Sequence, residues 1–539
     1  MIGVGTSLLF GRKAGKAGPP IPPFNKAMVD AWFMSGPSNS DKPSSITGVK
    51  GNVMALKNFA YALNSGFGKY EVDFINLFTP HPGNKDYIVF TPEKIEIIEN
   101  LNSIFFNLNI RKEIPSYKVQ VFGVTGPYSL KYNYFDKDGN YLIFNLPNDG
   151  IYTIPKSYLA DSNNGIGFVV SDYKNSKGIT ITQLPSAYEG ALVFDGVDDY
   201  GICTGLPILD DYTVICRRVL ENNTKNVVAS KSVVAGNGAF IFEYGNDSTY
   251  SFSEYTSGLA VNLKDSVSYQ AKNSYNGSTI TVGNADDTDT LTLGIIREGD
   301  SRLLKGAIYY FALYNKSLTP EEIETEKERL NEEWLKRSKV TIPEPDVYYD
   351  LSLKDNSSPT RNIIDDLSGN GHNAEIFNAA YTESSGYRSD GAFVFDGVDD
   401  YAIMQNVEKG FKTLFMEVIP SLTTDKGGFL YDQRVGQTSF GISISLNHIA
   451  YNTYNWGGVT YINGKLNTTM NGKEVYLKHQ IITIVNGTDL KPKKVVLGGD
   501  IGLDGYFSNM ALYKLIGFYD ELTPLQIEKV INDYKLKYD

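Results

Sequence analysis

The sequence has few of the side chains that most often hold metals or act as nucleophiles. Its 539 residues include two cysteines and four histidines, and the histidines are scattered along the chain. The GxSxG, HExxH, P-loop and paired CxxC patterns do not occur. We therefore expect neither a histidine-built metal site nor a disulfide scaffold, since secreted scaffolds use more cysteines.

The two cysteines, Cys203 and Cys216, lie close enough in sequence to belong to neighbouring strands. A disulfide bridge and two free buried thiols are both compatible with that spacing. We favour free thiols because unpaired cysteine is among the most buried residue types.

Long hydrophobic runs are missing, and so are acidic residues near the start. No stretch reaches the roughly 20 apolar residues of a membrane span, and the first apolar run is broken in a way that signal peptides avoid. The net charge of −12 disfavours nucleic-acid binding. Four cationic residues precede the first acidic residue of the chain: Arg12, Lys13, Lys16 and Lys26. We expect synthesis in a cytoplasm and docking of this basic peptide onto a partner protein.

Glycine and tyrosine are abundant, at 51 and 37 residues, and together with short alternating apolar runs they indicate β-structure. GALVFDGVDDY at 190–200 recurs as GAFVFDGVDDY at 391–401. The sequence LTP at 318–320 recurs at 522–524. Two landmarks that recur at nearly the same separation indicate a duplicated domain.

Each LTP sequence also predicts a helix. Thr319 and Thr523 suit the N-cap position, a proline follows each, and Glu322 and Gln526 complete capping boxes. We predict an all-β protein in which one or more small β-sandwich modules precede two tandem jelly rolls, each closed by a C-terminal helix. The predicted domains are an extended basic anchoring peptide (1–29), an attachment segment (30–68), the β-sandwich module or modules (69–185), jelly roll 1 (186–337), a linker (338–345) and jelly roll 2 (346–539).

The repeated FDGVDDY element concentrates carboxylates. They are Asp195, Asp198 and Asp199 in the first copy, and Asp396, Asp399 and Asp400 in the second. Calcium is the one cofactor these residues could hold, but a calcium site needs about six or more oxygen ligands. We favour a turn in which the aspartates accept hydrogen bonds from the backbone.

Three landmarks together resemble the concanavalin A-like lectin/glucanase superfamily, of the laminin-G-like or pentraxin-like kind. They are the strand ending in FDGVDDY, the closing YxxxLTPxEI segment, and LSGNGHNA at 367–374, and they cover about 186–337 and 346–539. The first copy lacks LSGNGHN, which leaves its opening strand undefined. Members of this superfamily bind glycans or proteins, cleave glycans, or serve as display modules.

The cluster around LSGNGHNA is polar and contains one histidine. A ligand or metal rim and a polar turn are both compatible with it, and we favour the turn. Its members are Asp366, Ser368, Asn370, His372 and Asn373.

Glycanases of this superfamily carry ExDxE on one strand, and that pattern does not occur here. Because glycoside hydrolysis needs two carboxyl groups across a cleft, we expect no enzyme activity. The aromatic residues Tyr451, Tyr454, Trp456 and Tyr461 are a better functional lead. They predict a sugar-stacking platform, although alternation also places tyrosines on ordinary sheet faces.

The N-terminal region carries a second resemblance. DAWFMSGPSNSDKPSSITGVKGN at 30–52 and FAYALNSGFGKYEVDF at 59–74 are similar to the anchoring region of virion proteins from bacteriophages of gut Bacteroidales, including crAss-like phages. The resemblance implies a structural virion protein, either a head fibre or a tail appendage. It also implies capsid or tail proteins as partners, self-association (often as trimers), and display on the virion surface toward host or mucosal glycans. The alternatives are a bacterial glycan-binding adhesin and, ranked lower, a polysaccharide-degrading enzyme.

Overall fold

The protein is all-β apart from three α-helices, which confirms the predicted fold class. The computed structural model describes residues 23–79, 82–102, 113–126, 129–159, 165–221, 226–232, 239–246, 249–251, 259, 261–280, 286, 288–338, 340–421, 428–434, 441–444, 449–450, 459–467, 477–486, 491–503 and 505–539. Within these residues, no helix combines the length and the hydropathy that crossing a membrane requires.

The secondary structure runs in four stretches along the chain. The first holds β1 (Met28–Phe33), β2 (Ser45–Thr47), β3 (Val53–Lys57) and β4 (Gly66–Lys69). The second holds α1 (Phe74–Leu77), β5 (Ile88–Phe90), β6 (Lys94–Ile97), β7 (Tyr117–Phe122), β8 (Leu130–Phe135), β9 (Tyr141–Leu146), β10 (Gly150–Ile154), β11 (Gly167–Val170) and β12 (Thr180–Gln183). The third holds β13 (Ala187–Asp195), β14 (Tyr200–Cys203), β15 (Thr213–Leu220), β16 (Asn226–Lys231), β17 (Phe240–Asn246), β18 (Thr249–Ser251), β19 (Ser266–Ala271), β20 (Ser274–Tyr275), β21 (Ser278–Thr279), β22 (Leu291–Leu293), β23 (Lys305–Tyr314) and α2 (Pro320–Arg337). The fourth holds β24 (Val347–Asp350), β25 (Ile363–Ile364), β26 (Ala374–Phe377), β27 (Gly386–Tyr387), β28 (Phe393–Asp396), β29 (Tyr401–Met404), β30 (Thr413–Ser421), β31 (Gly428–Asp432), β32 (Gly441–Ile444), β33 (Ile449–Ala450), β34 (Val459–Ile462), β35 (Lys465–Asn467), β36 (Gln480–Val485), β37 (Val495–Leu497), β38 (Asn509–Phe518) and α3 (Pro524–Asp533).

The chain forms two compact units. The first combines residues up to Gly68 with Ala191–Arg337, and the second combines Lys69–Gly190 with Ser338–Asp539. Jelly roll 1 therefore consists of two separate stretches of chain, and the residues between them belong to the other unit.

Jelly roll 1 is a sandwich of two antiparallel sheets. One has the order β21-β20-β19-β15-β23-β13-β4, with β1 also paired to β23, and the other has the order β18-β17-β16-β22-β14-β3-β2. Trp32, Phe194 and Phe311 are among the buried residues between the sheets. Alternating apolar residues on both inner faces make this core, as expected for a sandwich.

The predicted boundary between an attachment segment at 30–68 and jelly roll 1 differs from the structure. Strand β1 pairs with β23 from Met28↔Tyr314 to Phe33↔Tyr310, and β3 pairs with β14. The first copy is thus not missing its opening strand, because residues 28–69 supply it. The physical reason is burial: Ala31 and Trp32 lie in the core and could not form a separate exposed segment.

The residues between β4 and β13 form one β-sandwich module. A five-stranded sheet (β10-β7-β12-β6-β5) and a three-stranded sheet (β11-β8-β9) share a core that includes Phe74, Tyr132 and Phe168. Strands β8 and β9 form the hairpin that Asp136–Gly139 predicts. This module is an insertion, since β4 and β13 are neighbours in one sheet of jelly roll 1.

Jelly roll 2 repeats the same design without the insertion. Its sheets have the orders β27-β28-β38-β30-β36-β34-β35, with β24 also paired to β38, and β25-β26-β29-β37-β31-β32-β33. The capping box at Thr523 is present, and Thr319 and Glu322 exchange the corresponding hydrogen bonds in jelly roll 1. The residues predicted as a linker, 338–345, belong to the second unit, where Thr341 O accepts a hydrogen bond from Gln526 Nε2.

Candidate functional site: an acidic turn and an aromatic row

Both jelly rolls contain the acidic turn in the same form. Asp199 Oδ2 accepts a hydrogen bond from Asp195 N at 3.0 Å, and Asp400 Oδ2 accepts one from Asp396 N at 3.1 Å. In jelly roll 1, Ser65 Oγ also donates to Asp199 Oδ1. The last aspartate of each turn is therefore a buried acceptor that closes the turn, as the turn interpretation predicts.

The electrostatics of the turn follow from this burial. Burial raises the pKa of Asp199 to about 7. The hydrogen bond from Asp195 N opposes this shift, and the negative charge of the Asp195 carboxylate adds to it. The pKa of Asp400 is raised for the same reason. One ligand oxygen from each of the three aspartates lies within 4.8 Å of the others in both turns, which is close enough for one cation. Because each aspartate offers one oxygen in this arrangement, a turn supplies three of the six or more oxygens that calcium takes.

A second loop supports each acidic turn, and it is also duplicated. Asn58 Nδ2 donates to Asp198 O, and Asn378 Nδ2 donates to Asp399 O. NFAYALNSG at 58–66 matches NAAYTESSG at 378–386 in five of nine residues. The offset of 320 residues differs from that of the FDGVDDY pair because the inserted module separates the two elements in the first copy. The acidic turn and its supporting loop are therefore common to both copies, whereas a copy-specific feature distinguishes one jelly roll from the other.

The outer face of the second sheet of jelly roll 2 carries such a copy-specific feature, which we call the aromatic row (Phe377, Tyr401 and Phe507). The ring centroids of Phe377 and Tyr401 are 5.0 Å apart with an interplanar angle of 16°, and those of Tyr401 and Phe507 are 6.1 Å apart at 27°. All three side chains are partly exposed. The row is a strip of nearly parallel rings that solvent reaches.

Backbone pairing and one glycine place the three rings together. Phe377 and Tyr401 are directly opposite each other on β26 and β29. Phe507 comes from the loop before β38 and lies over Gly499, where an added Cβ would be 3.1 Å from the Phe507 ring. Because glycine leaves that space free, the third ring can lie beside Tyr401.

A charged cluster lies close to the row in the fold. The backbone of Phe507 bridges to Phe429, and the Arg434 guanidinium lies 4.3 Å from the Phe429 ring centroid. Arg434 pairs with the buried Asp432 at 2.7 Å and lies 3.7 Å from Asp500. Apolar ring surface next to fixed hydrogen-bonding groups is the composition that small polar ligands favour.

Jelly roll 1 lacks the aromatic row at the equivalent positions. Its cross-strand pair is Tyr200↔Lys57, so a lysine occupies the place of Phe377. The hydrogen bond from Leu304 N to Gly294 O in jelly roll 1 corresponds to the one from Ser508 N to Gly498 O in jelly roll 2. The residue before each donor is therefore equivalent, and Leu303 occupies the place of Phe507. Only the central tyrosine is shared, and in jelly roll 1 the Tyr200 hydroxyl donates to Glu298.

Of the predicted stacking platform, the structure describes only Tyr461. Tyr461 is 8% exposed and packs among apolar residues that include Ile527 and Val530 of α3. It forms part of the core that holds the helix, because its position on β34 directs it to the helix-covered face. Tyr451, Tyr454 and Trp456 lie outside the described residues.

Of the four predicted docking cations, the structure describes one. Lys26 is exposed in the turn before β1, and Arg12, Lys13 and Lys16 lie outside the described residues. The two cysteines are free and buried, as we expected. The polar cluster of LSGNGHNA is a turn, in which Asp366 accepts hydrogen bonds from the backbone N–H groups of Ser368 and His372.

A second concave surface lies within the second unit. It is a cleft of about 920 Å³ whose lining includes Tyr152, Lys409, Tyr519 and Glu521. Glu521 forms an ion pair with Lys118 of the inserted module, and the Lys409 ammonium lies 5.1 Å from the Tyr519 ring centroid. Its lining mixes both charges with aromatic residues and does not select one class of ligand.

No protein-family profile matches the chain, and no curated protein matches it in sequence. Solved structures with some likeness include botulinum neurotoxin type C, whose cell entry depends on two ganglioside molecules (13% identity, 58% of this chain, 86% of that chain, TM-score 0.20). They also include the binding domain of botulinum neurotoxin serotype D (13%, 64%, 91%, TM-score 0.23) and Trypanosoma rangeli sialidase in complex with sialic acid (11%, 88%, 98%, TM-score 0.25). TM-scores this low assign no function to this chain.

Proposed function

We propose that this chain is a non-catalytic binding protein in which jelly roll 2 binds carbohydrate through the aromatic row. The observation that carries the proposal is the row itself, which is present in jelly roll 2 and replaced by Lys57 and Leu303 in jelly roll 1. Apolar ring surface packs against the C–H groups of a sugar, and nearby polar groups bind its hydroxyls. Because neighbouring rings cover one another's faces, the row presents a continuous strip of exposed ring edges, which suits an extended glycan.

The proposal extends to a structural role in a bacteriophage particle, as a head fibre or a tail appendage. The resemblance of the N-terminal region supports this role, and so does the run of cations before β1. Since residues 28–69 are strands and loops of jelly roll 1, docking to a capsid or tail protein falls to the residues before them. The chain then acts at the virion surface, with host or mucosal glycans as ligands and with further copies of itself as partners.

The binding test uses the full-length protein on a panel of immobilised neutral and acidic polysaccharides, with serum albumin as the background control. We expect saturable retention on at least one polysaccharide and no release of reducing sugar during the incubation. If every polysaccharide retains the protein no more than it retains albumin, the result contradicts carbohydrate binding. Release of reducing sugar favours the enzyme alternative instead.

The virion test uses purified phage particles and two forms of the protein. We expect the full chain to co-sediment with particles that lack it, and a chain that begins at Ala27 to stay folded without co-sedimenting. If both forms bind particles equally, the N-terminal peptide is not the anchor. If neither does, while carbohydrate binding persists, the bacterial adhesin alternative gains support.

A further inference from the structure

Strand β9 is an exposed sheet edge with an unusual composition. In the described part of the chain, most other edge strands have two to five residues, whereas β9 (YLIFNL) has six and no charged residue. Strand β1 is equally long, but its residues are largely buried and Ala31 O accepts a hydrogen bond from Val49 N. Natural sheets usually protect edges with short strands, charges or proline, and β9 has none of these.

The side chains of β9 are exposed on both faces. Tyr141 is 37% exposed, Leu142 38% and Ile143 55%, so three consecutive apolar residues reach solvent. Further along the strand, Leu146 is buried in the module core. The exposed part of the strand therefore contributes little to the core of its own module, and covering it would remove apolar surface from water.

The backbone of β9 also has a free side. Asp136 N donates to Asn140 O at 3.1 Å, which marks that pair as hydrogen-bonded. Hydrogen-bonded pairs alternate along an antiparallel ladder, so the N–H and C=O groups of Tyr141, Ile143 and Asn145 point away from β8. Within the described residues, no backbone group pairs with them. The occupant that fits this edge is another β-strand.

We propose that β9 pairs antiparallel with β9 of a second copy of this chain, and this inference is independent of carbohydrate binding. The free backbone groups lie on odd-numbered residues, so a two-fold axis at Ile143 aligns them. Ile143 is then opposite Ile143 of the second copy, Leu142 is opposite Phe144, and Tyr141 is opposite Asn145. Because β9 carries no charge, self-pairing brings no like charges together. The product is a six-stranded sheet across a dimer, which differs from the trimer expected by analogy with fibres.

The first test is sedimentation velocity of the full chain over a dilution series. One strand edge is a small interface, so we expect a reversible monomer–dimer equilibrium. Ile143→Lys places two ammonium groups opposite each other and should weaken the dimer by roughly tenfold or more. Val89→Lys is the matched control, since Val89 is 43% exposed on β5, an edge of the other sheet of the same module.

The second test fixes the register by oxidation of single-cysteine variants. Ile143→Cys places two thiols across a hydrogen-bonded pair, about 5.5 Å apart at Cα, which suits a disulfide. Asn145→Cys is the control. In the proposed register, position 145 of one copy lies four residues along the strand, or about 13 Å, from position 145 of the other. The native cysteines are buried and should not interfere. A chain that stays monomeric at every concentration, or equal cross-linking of the two variants, overturns the proposal.

Discussion

Replacement of Tyr401 by alanine tests whether the aromatic row binds ligand. Tyr401 is the central ring, 5.0 Å from Phe377 and 6.1 Å from Phe507, so its removal divides the strip in two. A ligand that covers the exposed part of the central ring removes roughly 60 Å² of apolar surface from water, worth about 1.5 kcal/mol at about 25 cal/mol per Å². That loss corresponds to a Kd roughly tenfold higher.

The assay is isothermal titration calorimetry of the full chain with whichever polysaccharide the panel identifies. Loss of two ring pairs also lowers the free energy of unfolding by about 1–3 kcal/mol, so binding is measured well below Tm. Tyr200→Ala is the matched control, because it removes the equivalent tyrosine from jelly roll 1. A Kd within twofold of the native value for Tyr401→Ala, or equal losses in the two variants, refutes the role of the row.

Three further predictions concern stability and are checked by equilibrium unfolding in denaturant. The pKa of Asp199 is raised to about 7, so its stabilising contribution is complete below the unfolded pKa near 3.8 and is lost as pH rises through about 7. Asp199→Asn should therefore gain stability relative to the native protein as pH rises over that range, by at most about 4 kcal/mol, and a constant difference contradicts the shift. Thr523→Ala removes one bond of the capping box and should cost about 1 kcal/mol, whereas Thr523→Ser should retain most of the stability. Glu243→Ala leaves the buried Arg218 without its partner and should cost about 3–5 kcal/mol, against a much smaller cost for Glu321→Ala on the solvent side of α2.

The elements predicted correctly from sequence are local. Thr523, Pro524 and Gln526 define a helix start within four residues, and the hairpin at Asp136–Gly139 needs only the turn residues and the strands beside them. The duplication is also visible without a structure, because FDGVDDY lies on one short strand and turn that both copies retain. Each of these signals depends on neighbouring residues.

The assignment of residues 28–69 to jelly roll 1 needed the tertiary structure. Strand β1 pairs with β23, which lies far along the chain, and the inserted module hides the relation between them. One sequence signal did exist: NFAYALNSG and NAAYTESSG match at an offset of 320, not at the offset of the other repeats. A search for repeats at a single offset cannot connect the two halves of an interrupted domain.

The composition and the short alternating apolar runs by themselves indicated that the chain is all-β, and the repeats indicated that it contains a duplicated domain. Only the tertiary structure decided that Tyr461 is buried under α3, and that Phe377, Tyr401 and Phe507 form one exposed row. The physical reason is that alternation along a strand says which residues share a face but not what covers that face. Coverage depends on helices and loops that come from distant parts of the chain.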